Sequence, residues 1–574
     1  MTTSLVDAES VLAVDIGSRT TRAHLFDVVD GVYSFVASGS APSTVQAPYR
    51  DVGEGAHQAI LQLQGITGRT LISPEGQIIL PSQPSGAGAD RLVLTYSSGP
   101  TPRIVLAGLL NDVSLASAQR MAGSIFGQVV ETLSLNDRRK PDLQIDAIVK
   151  ARPDLVVIAG GTESGATRSV YKLVDLINLT CRVIPPEQRP EIIYCANQAL
   201  AKRIKENLEK WTKVNLAPNL RPSIDQEDLG PAQQALMRAD ARLRVRRMNG
   251  LEALAGVAST QPMPSGYAFG RVVHFLSRVL DPAKGVLGVD LGNAATVVAS
   301  SMADGHAIST FPYGLGRGAA NALQQIKTAD VMKWLPMLLE EAAVRDYLWQ
   351  KSLTPDLLPQ NEESLAIELA FARELLRLAV QQFQARYAEF DRPLEPIIAG
   401  GALFTQIPPA QALLTLIDGI QPLGVTTVIL DQNNLAPALG AAADFNPVLP
   451  VQVLESGAFL NLGTVISPLS DARYGTSVVK ARVEFEHGNE TTVEVAKGSI
   501  ATLPIQAGQA ARIYLQARHG AVLDPYSRKT SLNFKVVGGV CGAVIDARGR
   551  PLALPVDDSR RRDMIKKWLL NLGG

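Results

Sequence analysis

The amino-acid sequence predicts an α/β protein with two related lobes, followed by a C-terminal domain that is mainly antiparallel β and ends in a helix. Strand-like and helix-like runs alternate over residues 1–280, and a strand followed by Asp-x-Gly occurs at Asp15 and again at Asp290. After residue 446 the pattern changes to short alternating runs. We therefore expect three domains, 1–280, 281–446 and 447–574, a number that a chain of 574 residues allows.

Residues 1–280 show the alternation of strands and helices that is typical of a parallel sheet. The runs RIVLAGLL, DLVVIAGG and EIIYCAN are short, apolar and rich in Val and Ile, whereas QALAKRIKENLEKW is helix-like. Alternation of this kind places strands parallel to one another with helices on the faces of the sheet. The first lobe is therefore predicted to hold a largely parallel sheet.

The second range begins again with a strand, Val286–Val289, and then becomes strongly helical. Residues 363–390 predict a long helix, and PIIAGGALF combines a strand with a Gly-Gly turn. In the last range, SVVKARVEFEHGNETTVEVAKGSI predicts a hairpin that turns at residues 487–489. Residues 559–573 predict an amphipathic terminal helix. Its apolar stripe consists of Ile565, Trp568 and Leu569.

The composition excludes several classes of function. The 55 basic residues balance 55 acidic ones, which argues against nonspecific nucleic-acid binding and against a polybasic membrane anchor. The locally basic run 238–247 is interpreted as a solvated helix face. Neither a signal peptide nor a long apolar run is seen, and three cysteines provide no disulfide framework. We therefore expect a cytoplasmic protein without a transmembrane helix.

The strand VLAVD leads into a loop whose residue types suit a phosphate group. Asp15 ends a buried strand at the edge where α/β sheets bind ligands, and its carboxylate suits Mg²⁺ or the waters around it. Gly17 allows close backbone approach, and Arg22 offers a positive charge. Hydroxyl groups come from Ser18, Thr20 and Thr21. The alternative is a hairpin turn whose Asp and Ser only cap backbone N–H groups.

The motif recurs at DLGNAAT with fewer groups that bind phosphate. Asp290 and Gly292 are kept. Asn293 offers an amide side chain, and Thr296 supplies a hydroxyl group. Most substitutions leave the backbone N–H groups in place, so the second loop is also expected to bind phosphate. The presence of two copies, each after an apolar strand, favours a nucleotide site to which both contribute.

Two Gly-Gly turns follow predicted strands. At Gly400 and Gly401, the absence of side chains would let a flat ring such as adenine lie against the backbone. Gly160 and Gly161 are interpreted as the equivalent turn of the first lobe. For each pair, a simple strand-to-helix turn is the alternative.

The order of these motifs resembles the superfamily of actin, heat-shock-70 chaperones and sugar kinases. An Asp-x-Gly loop, a second such loop and a Gly-Gly turn are followed by a helix of small residues over 436–443. The resemblance implies two actin-like (RNase H-like) lobes around a nucleotide cleft. It also implies that Asp15 and Asp290 are the catalytic and metal-binding residues, that both loops hold the ATP phosphates with Mg²⁺, and that the turn at Gly400 holds adenosine.

A closer resemblance covers about residues 10–445. The motifs VDIGSRTTRAHLFD, ARPDLVVIAGGTESG, LAPNLRPSIDQEDLGPAQQAL, GVDLGNAATVV and PIIAGGALF occur in the order typical of the glutamate-mutase accessory proteins called MutL or GlmL. This resemblance implies an ATP-binding, chaperone-like or reactivating switch that serves an adenosylcobalamin-dependent mutase. It says little about residues 447–574, which we expect to serve partner contact or self-assembly.

The second loop departs from the family pattern, which usually reads Asp-x-Gly-Gly-Ala-Thr-Thr-Asp. Asn293 stands for a Gly, Ala295 for a Thr and Val297 for the final Asp. The lost hydroxyl and carboxylate weaken phosphate and metal contacts, so any Mg-dependent ATP hydrolysis is expected to be slow. The alternative function is an actin-like scaffolding or filament-forming protein with weak or no hydrolysis. A small-molecule kinase ranks last because the sequence shows no recognisable acceptor-binding motif.

Overall fold

The structure, a computed structural model, describes residues 9–573 except 164, 282, 303–304, 389–392 and 487. The chain divides into two compact units. The first comprises the chain up to Phe26 together with Val36–Ala268 and Ile308–Thr310. The second comprises Asp27–Phe35, Phe269–Ala307 and the chain from Phe311 onward.

The first unit holds two five-stranded sheets among its described residues. Its strands are β1 (Val11–Ile16), β2 (Thr20–Val29), β3 (Val32–Pro42), β4 (Arg91–Tyr96), β5 (Arg103–Ala107), β6 (Gln128–Leu133), β7 (Leu155–Gly160), β8 (Glu191–Ala196), β9 (Val214–Leu216) and β10 (Met263–Pro264). The sheet orders are β10-β4-β1-β2-β3 and β6-β5-β7-β8-β9. All pairs of the second sheet are parallel, which confirms the parallel sheet predicted here. In the first sheet, β1 pairs parallel with β4 but antiparallel with β2.

Helices connect and cover these strands. They are α1 (Val52–Thr67), α2 (Ala116–Ala122), α3 (Pro141–Ala151), α4 (Thr167–Val183), α5 (Ala201–Leu208), α6 (Gly230–Arg247) and α7 (Leu251–Val257). The next helix, α8 (Ser265–Val279), starts in the first unit and belongs to the second from Phe269 onward. The carboxylate of Asp51 caps α1 by accepting the Gly53 N–H at 2.8 Å, and Gly68 ends the helix with a φ of 70°. The core beside α1 includes Leu12, Val14, Ala56, Ile60, Leu63 and Leu94.

The interpretation of residues 238–247 as a solvated helix face holds for Arg238, Arg246 and Arg247, which are exposed, but is wrong for Arg244. These residues form the C-terminal part of α6, and both Asp240 and Arg244 are buried. Arg244 donates to Asp240 at 3.2 Å and to the Ser98 carbonyl at 3.0 Å, while the Tyr96 hydroxyl donates to Asp240 at 2.9 Å. A buried ion pair is tolerated because its remaining polar atoms are hydrogen-bonded, and periodicity alone does not reveal such partners.

The second unit holds an eight-stranded sheet and a four-stranded sheet in the described part of the chain. Its strands are β11 (Gly285–Leu291), β12 (Thr296–Met302), β13 (Gly305–Phe311), β14 (Leu394–Gly400), β15 (Gly424–Leu430), β16 (Leu460–Ser467), β17 (Ser477–Phe485), β18 (Glu490–Ala496), β19 (Ile500–Leu503), β20 (Ala510–Ala517), β21 (Ser531–Val537) and β22 (Ala543–Asp546). The orders are β13-β12-β11-β14-β15-β16-β22-β19 and β18-β17-β20-β21. The larger sheet therefore takes strands from both sides of residue 447, while the smaller one is antiparallel throughout.

The helices of this unit agree in part with the sequence prediction. They are α9 (Ala319–Ala322), α10 (Thr328–Met332), α11 (Glu341–Leu353), α12 (Glu362–Arg386), α13 (Pro409–Ile420), α14 (Ala436–Ala442), α15 (Val448–Glu455) and α16 (Asp558–Asn571). The helix predicted over 363–390 corresponds to α12, which begins with a reciprocal cap between Asn361 and Ser364. The predicted hairpin is formed by β17 and β18, with His487 lying outside the described residues. Terminal helix α16 buries Ile565 and Trp568, while Leu569 is partly exposed.

Candidate functional site: two Asp-x-Gly loops

The first loop is a tight turn between β1 and β2. The Gly17 N–H donates to the Thr20 carbonyl at 3.2 Å, and a Cβ on Gly17 would overlap that same carbonyl. A glycine is therefore required for the turn to close. Asp15 lies opposite Arg22 in the antiparallel register, so the carboxylate and the guanidinium project from the same face of the sheet.

Two hydroxyl groups hold the Asp15 carboxylate. Thr95, which lies beside Asp15 on the parallel strand β4, donates to Oδ1 at 2.6 Å, and Ser265 donates to the same oxygen at 2.7 Å. Asp15 is only 3% exposed. The sequence prediction did not include Thr95 or Ser265, because each meets Asp15 only through the fold. Together they orient a carboxylate that has little contact with solvent.

The hydroxyl-bearing residues of this loop divide between two environments. Ser18 and Thr20 are partly exposed, as is Arg22. Thr21 is 1% exposed. Its hydroxyl faces α1, because a Cβ added to Gly55 of that helix would lie 3.4 Å from the hydroxyl oxygen. Side chains alternate along a strand, so Thr21 points to the opposite side from Arg22. The phosphate contact predicted for Thr21 is therefore less well supported than that for Thr20.

The second loop repeats this geometry in the second unit. The Gly292 N–H donates to the Ala295 carbonyl at 2.9 Å, and a Cβ on Gly292 would also lie 2.9 Å from that oxygen. Asp290 pairs with Val297 on the antiparallel strand and with Gly400 on the parallel strand. By register, Asp290 therefore corresponds to Asp15. In the same way, the Arg22 position is occupied by Val297 and the Thr95 position by Gly400.

The segment YGLGRG (313–318) supports the second loop through hydrogen bonds to Asn293. The Asn293 carbonyl accepts N–H groups from Gly316 at 3.0 Å and Gly318 at 3.1 Å, and Asn293 Oδ1 accepts the Arg317 N–H at 3.1 Å. A Cβ on either glycine would overlap Asn293 or Ala294. The Asn293 Nδ2 is buried and has no hydrogen-bond partner among the described residues. The alternating glycines are the sequence signal that would have identified this support.

Thr296 anchors the loop through its side chain. Its hydroxyl donates to the Tyr313 carbonyl at 2.7 Å, and the residue is fully buried. The Thr296 hydroxyl, which was predicted to face phosphate, is thus already hydrogen-bonded within the second unit. Asp290 itself is partly exposed.

The Gly-Gly turn makes room for the second loop. A Cβ added to Gly400 would lie 2.8 Å from Asp290 Oδ1. Gly401 has a φ of 120°, and a Cβ added there would overlap the Leu291 carbonyl oxygen. The interpretation of Gly160 and Gly161 as the equivalent turn is wrong. These glycines end β7 in the other sheet of the first unit, whereas the register places Thr95 at the position of Gly400.

The small-residue helix predicted after this turn is α14. All seven of its residues, Ala436–Ala442, are buried. Its first turn is capped by Asp431, whose two carboxylate oxygens accept the N–H groups of Leu435 and Ala436 at 2.8 and 2.7 Å.

The oxygen donors of the loops fit a hard cation that keeps most of its water. Asp15 and Asp290 are carboxylates, and Mg²⁺ usually takes only one or two of these together with waters and substrate phosphates. In the described part of the chain, no group of three or more His, Cys, Asp or Glu side chains is arranged to hold a metal alone. Each loop by itself supplies one carboxylate, which is within the number that Mg²⁺ usually takes.

A profile of the family described as MutL protein matches residues 11–457. The chain belongs to the MutL protein family. The matched range contains both Asp-x-Gly loops and the Gly-Gly turn at Gly400. No curated protein sequence matches the chain significantly.

Solved structures show only distant likeness to this MutL-family chain. A nucleotide-free acetone carboxylase is 12% identical, with coverage of 85% of this chain and 81% of that one and a TM-score of 0.31. The ATP-dependent caprolactamase from Pseudomonas jessenii is 13% identical, with coverages of 84% and 81% and a TM-score of 0.34. The xylulose kinase from Bifidobacterium adolescentis is 12% identical, with coverages of 78% and 93% and a TM-score of 0.28.

Among the described residues, no helix combines the length and the apolar character needed to cross a membrane.

The close fit of Gly400 against Asp290 leads to a prediction. Gly400→Ala places a methyl group where the Asp290 carboxylate now lies, so the carboxylate must move. We expect the affinity for Mg·ATP to fall about tenfold, the scale seen when groups that orient metal ligands are lost. Isothermal titration calorimetry measures the effect. Gly256→Ala in α7, where an added Cβ would meet no atom within 4 Å, is the control, and equal affinity in both variants would contradict the prediction.

Proposed function

We propose that this MutL-family chain is an ATP-binding accessory protein that uses both Asp-x-Gly loops. The observation that carries the proposal is the repetition of the loop geometry, since Asp15 and Asp290 occupy the same register position and Gly17 and Gly292 close the same turn. A carboxylate that follows a buried strand suits Mg²⁺, and tight glycine turns present backbone N–H groups of the loop to phosphate. The finer proposal is that these loops belong to two actin-like (RNase H-like) lobes.

Each residue has a proposed role in binding. Asp15 and Asp290 hold Mg²⁺ or its waters. Gly17 keeps the turn tight, so that Ser18 and Thr20 bind phosphate through N–H and hydroxyl groups, and Arg22 balances its charge. In the second loop, Gly292 and Asn293 bind phosphate. The buried Nδ2 of Asn293 is a donor that a phosphate oxygen would satisfy. Gly400 and Gly401 border adenosine, while Thr21 and Thr296 stabilise the loops from within.

Hydrolysis is proposed to be slow, because the second loop has lost charge and hydroxyl groups. Val297 stands where the first loop has Arg22, and the Thr296 hydroxyl is bonded to the Tyr313 carbonyl. The chain would then act as a nucleotide-dependent switch for a partner. From the family, we propose that this partner is an adenosylcobalamin-dependent mutase such as glutamate mutase, and that the switch assists its assembly or reactivation.

One observation favours a scaffolding role as the second candidate. The four-stranded sheet ends on β18 and β21, each of which pairs on one side only within the described residues. An edge strand with unpaired backbone groups is a template for pairing with another chain. Light scattering with and without Mg·ATP tests this role, and a monomer under every condition would count against it.

The proposed function predicts Mg-dependent binding of ATP. In titration calorimetry the purified chain is expected to bind ATP in the presence of Mg²⁺ and to bind it at least about tenfold more weakly with excess EDTA, since phosphate charge is then left uncompensated. Phosphate release measured in parallel is expected to be slow. Absence of detectable binding with Mg²⁺ present would overturn the proposal.

A further inference from the structure

An open pocket of about 700 Å³ lies in the first unit at the amino ends of three parallel strands. Asp154 precedes β7, Glu191 begins β8 and Lys213 precedes β9, and the C-terminal part of α6 also lines the pocket. The Glu191 N–H donates to the Asp154 carbonyl at 3.0 Å. The Ile192 N–H donates to the Lys213 carbonyl at 2.9 Å, so the three strand ends lie side by side. The volume is within the range of about 300–1,000 Å³ that is usual for small-molecule sites.

The charged groups of this pocket form an inner layer of carboxylates and an outer layer of cations. The Glu191 side chain is 8% exposed and accepts from Arg242 at 2.8 Å and from Arg246 at 3.1 Å. Asp154, whose side chain is 7% exposed, pairs with Arg247. The guanidinium groups are more exposed, up to 62% for the side chain of Arg246. The carboxylates therefore orient the arginines from behind and leave their other N–H groups for a ligand.

Positive charge exceeds negative charge in this pocket. Two arginines share the Glu191 carboxylate, and the exposed ammonium group of Lys213 has no partner among the residues that the structure describes. The Arg242 Nε is buried without a hydrogen-bond partner in the same part of the chain. Among the described residues that line the pocket, five cationic side chains stand against three carboxylates. An anion would neutralise this excess.

The arrangement of these donors favours a phosphate group over a carboxylate. A carboxylate offers two oxygens in one plane, whereas a terminal phosphate group offers three and accepts from several directions. Here the donors come from two elements, the loop before β9 and the C-terminal part of α6, and guanidinium groups match pairs of phosphate oxygens. Pro186, Trp211 and Leu243 add apolar walls for the rest of a small molecule.

We propose that this pocket binds a small phosphorylated molecule. The phosphate group accepts from Lys213, Arg246 and Arg247, which are exposed, and Glu191 orients Arg246 toward it. Binding here needs no Mg²⁺, because the arginines and the lysine supply the positive charge. The site goes beyond nucleotide binding by the Asp-x-Gly loops and does not rest on it.

Titration calorimetry of the full-length chain with inorganic pyrophosphate, in EDTA and at low salt, tests the site. The wild type is expected to bind pyrophosphate. Arg246→Gln is expected to bind it about tenfold more weakly, the scale of one lost hydrogen bond between charged groups. Lys213→Gln is expected to show a similar loss. Since the Lys213 ammonium group is exposed and has no partner in the described part of the chain, its removal leaves the fold unchanged.

Arg238→Gln is the matched control, because Arg238 is an exposed arginine of the same helix that does not line the pocket. It is expected to bind pyrophosphate as the wild type does. Asp15→Asn is also expected to keep this binding, which separates the pocket from the first Asp-x-Gly loop.

Four results would overturn the proposal. The first is a wild type that does not bind pyrophosphate. The second is equal affinity in the wild type, Arg246→Gln and Lys213→Gln, because the anion then binds elsewhere. The third is an equal loss in Arg238→Gln, which would assign the effect to the general charge of α6. The fourth is equal affinity for succinate, a dicarboxylate, which would contradict the preference for phosphate. None of these results changes the outcome of the Mg·ATP titration that tests the proposed function.

Discussion

The substitution Arg548→Met is expected to lower the free energy of unfolding of the second unit by about 3–5 kcal/mol. Arg548 is fully buried at its side chain and pairs with two carboxylates, Asp546 at 2.8 Å and Asp418 at 2.7 Å. Its guanidinium also lies 4.6 Å from the ring centre of Trp568. Removing one member of a buried network leaves charge that is neither hydrated nor fully paired.

The size of the effect depends on what remains around the two carboxylates. Asp418 keeps Arg373 at 2.8 Å, and Asp546 keeps Arg550 at 2.6 Å. Each carboxylate therefore retains one partner, but Asp546 loses the two hydrogen bonds that Arg548 donates. Because these residues connect α13, β22 and α16, the loss is expected to affect the whole unit rather than a local segment.

Urea denaturation followed by Trp fluorescence measures the change. The control is Arg482→Met, since Arg482 also has a carboxylate partner, Glu490 at 2.8 Å, and an aromatic partner, Tyr514, with its guanidinium 4.2 Å from the ring centre. That pair is exposed, at 42% and 48% for the two side chains, and pairs of this kind contribute about 0–1 kcal/mol. Similar losses in both variants would contradict the prediction.

The same network gives the stability a pH dependence of defined sign. Burial by itself would raise the pKa of Asp546, but the Arg548 and Arg550 guanidinium groups lower it, and the pKa lies well below its usual range. A folded pKa below the unfolded one contributes stability that is present above about pH 4 and is lost as the pH falls through the folded pKa. The wild-type advantage over Arg548→Met is therefore expected to shrink on acidification.

The substitution Asp15→Asn is expected to reduce the affinity for Mg·ATP by about 100-fold or more, the upper end of the losses seen when the surroundings of a metal ligand are altered. The amide keeps the shape of the side chain and an oxygen that accepts from Thr95 and Ser265, so the fold is retained. The negative charge is lost, and an amide oxygen is a weaker ligand for Mg²⁺ than a carboxylate. The affinity for ATP in EDTA is expected to change much less.

Calorimetric titration of Asp15→Asn with Mg²⁺ and with EDTA separates these effects. Asp30→Asn is the control, because Asp30 is an exposed carboxylate just after β2 with a φ of 52°, a conformation that Asn also tolerates. A wild-type response of Asp15→Asn to Mg²⁺ would remove Asp15 from the metal site.

Much of the candidate site follows from short-range patterns. The strand VLAVD and the strand GVLGVD each end in Asp-x-Gly, and the glycine requirement at Gly17 is a local property of a turn that closes within four residues. The parallel sheet around β7 was likewise predictable, because buried parallel strands are continuous apolar runs. The mistake at Gly160 arose because identical local patterns occur at the ends of strands in different sheets.

The sequence by itself determined which residues form the two loops and which family the motifs resemble, because these depend on neighbours within a few positions. Only the tertiary structure decided that Thr95 and Ser265, 80 and 250 positions from Asp15, hold its carboxylate. It likewise decided that Gly400 is small in order to admit Asp290. The physical reason is that strand register and helix packing bring together groups whose separation along the chain leaves no periodic trace.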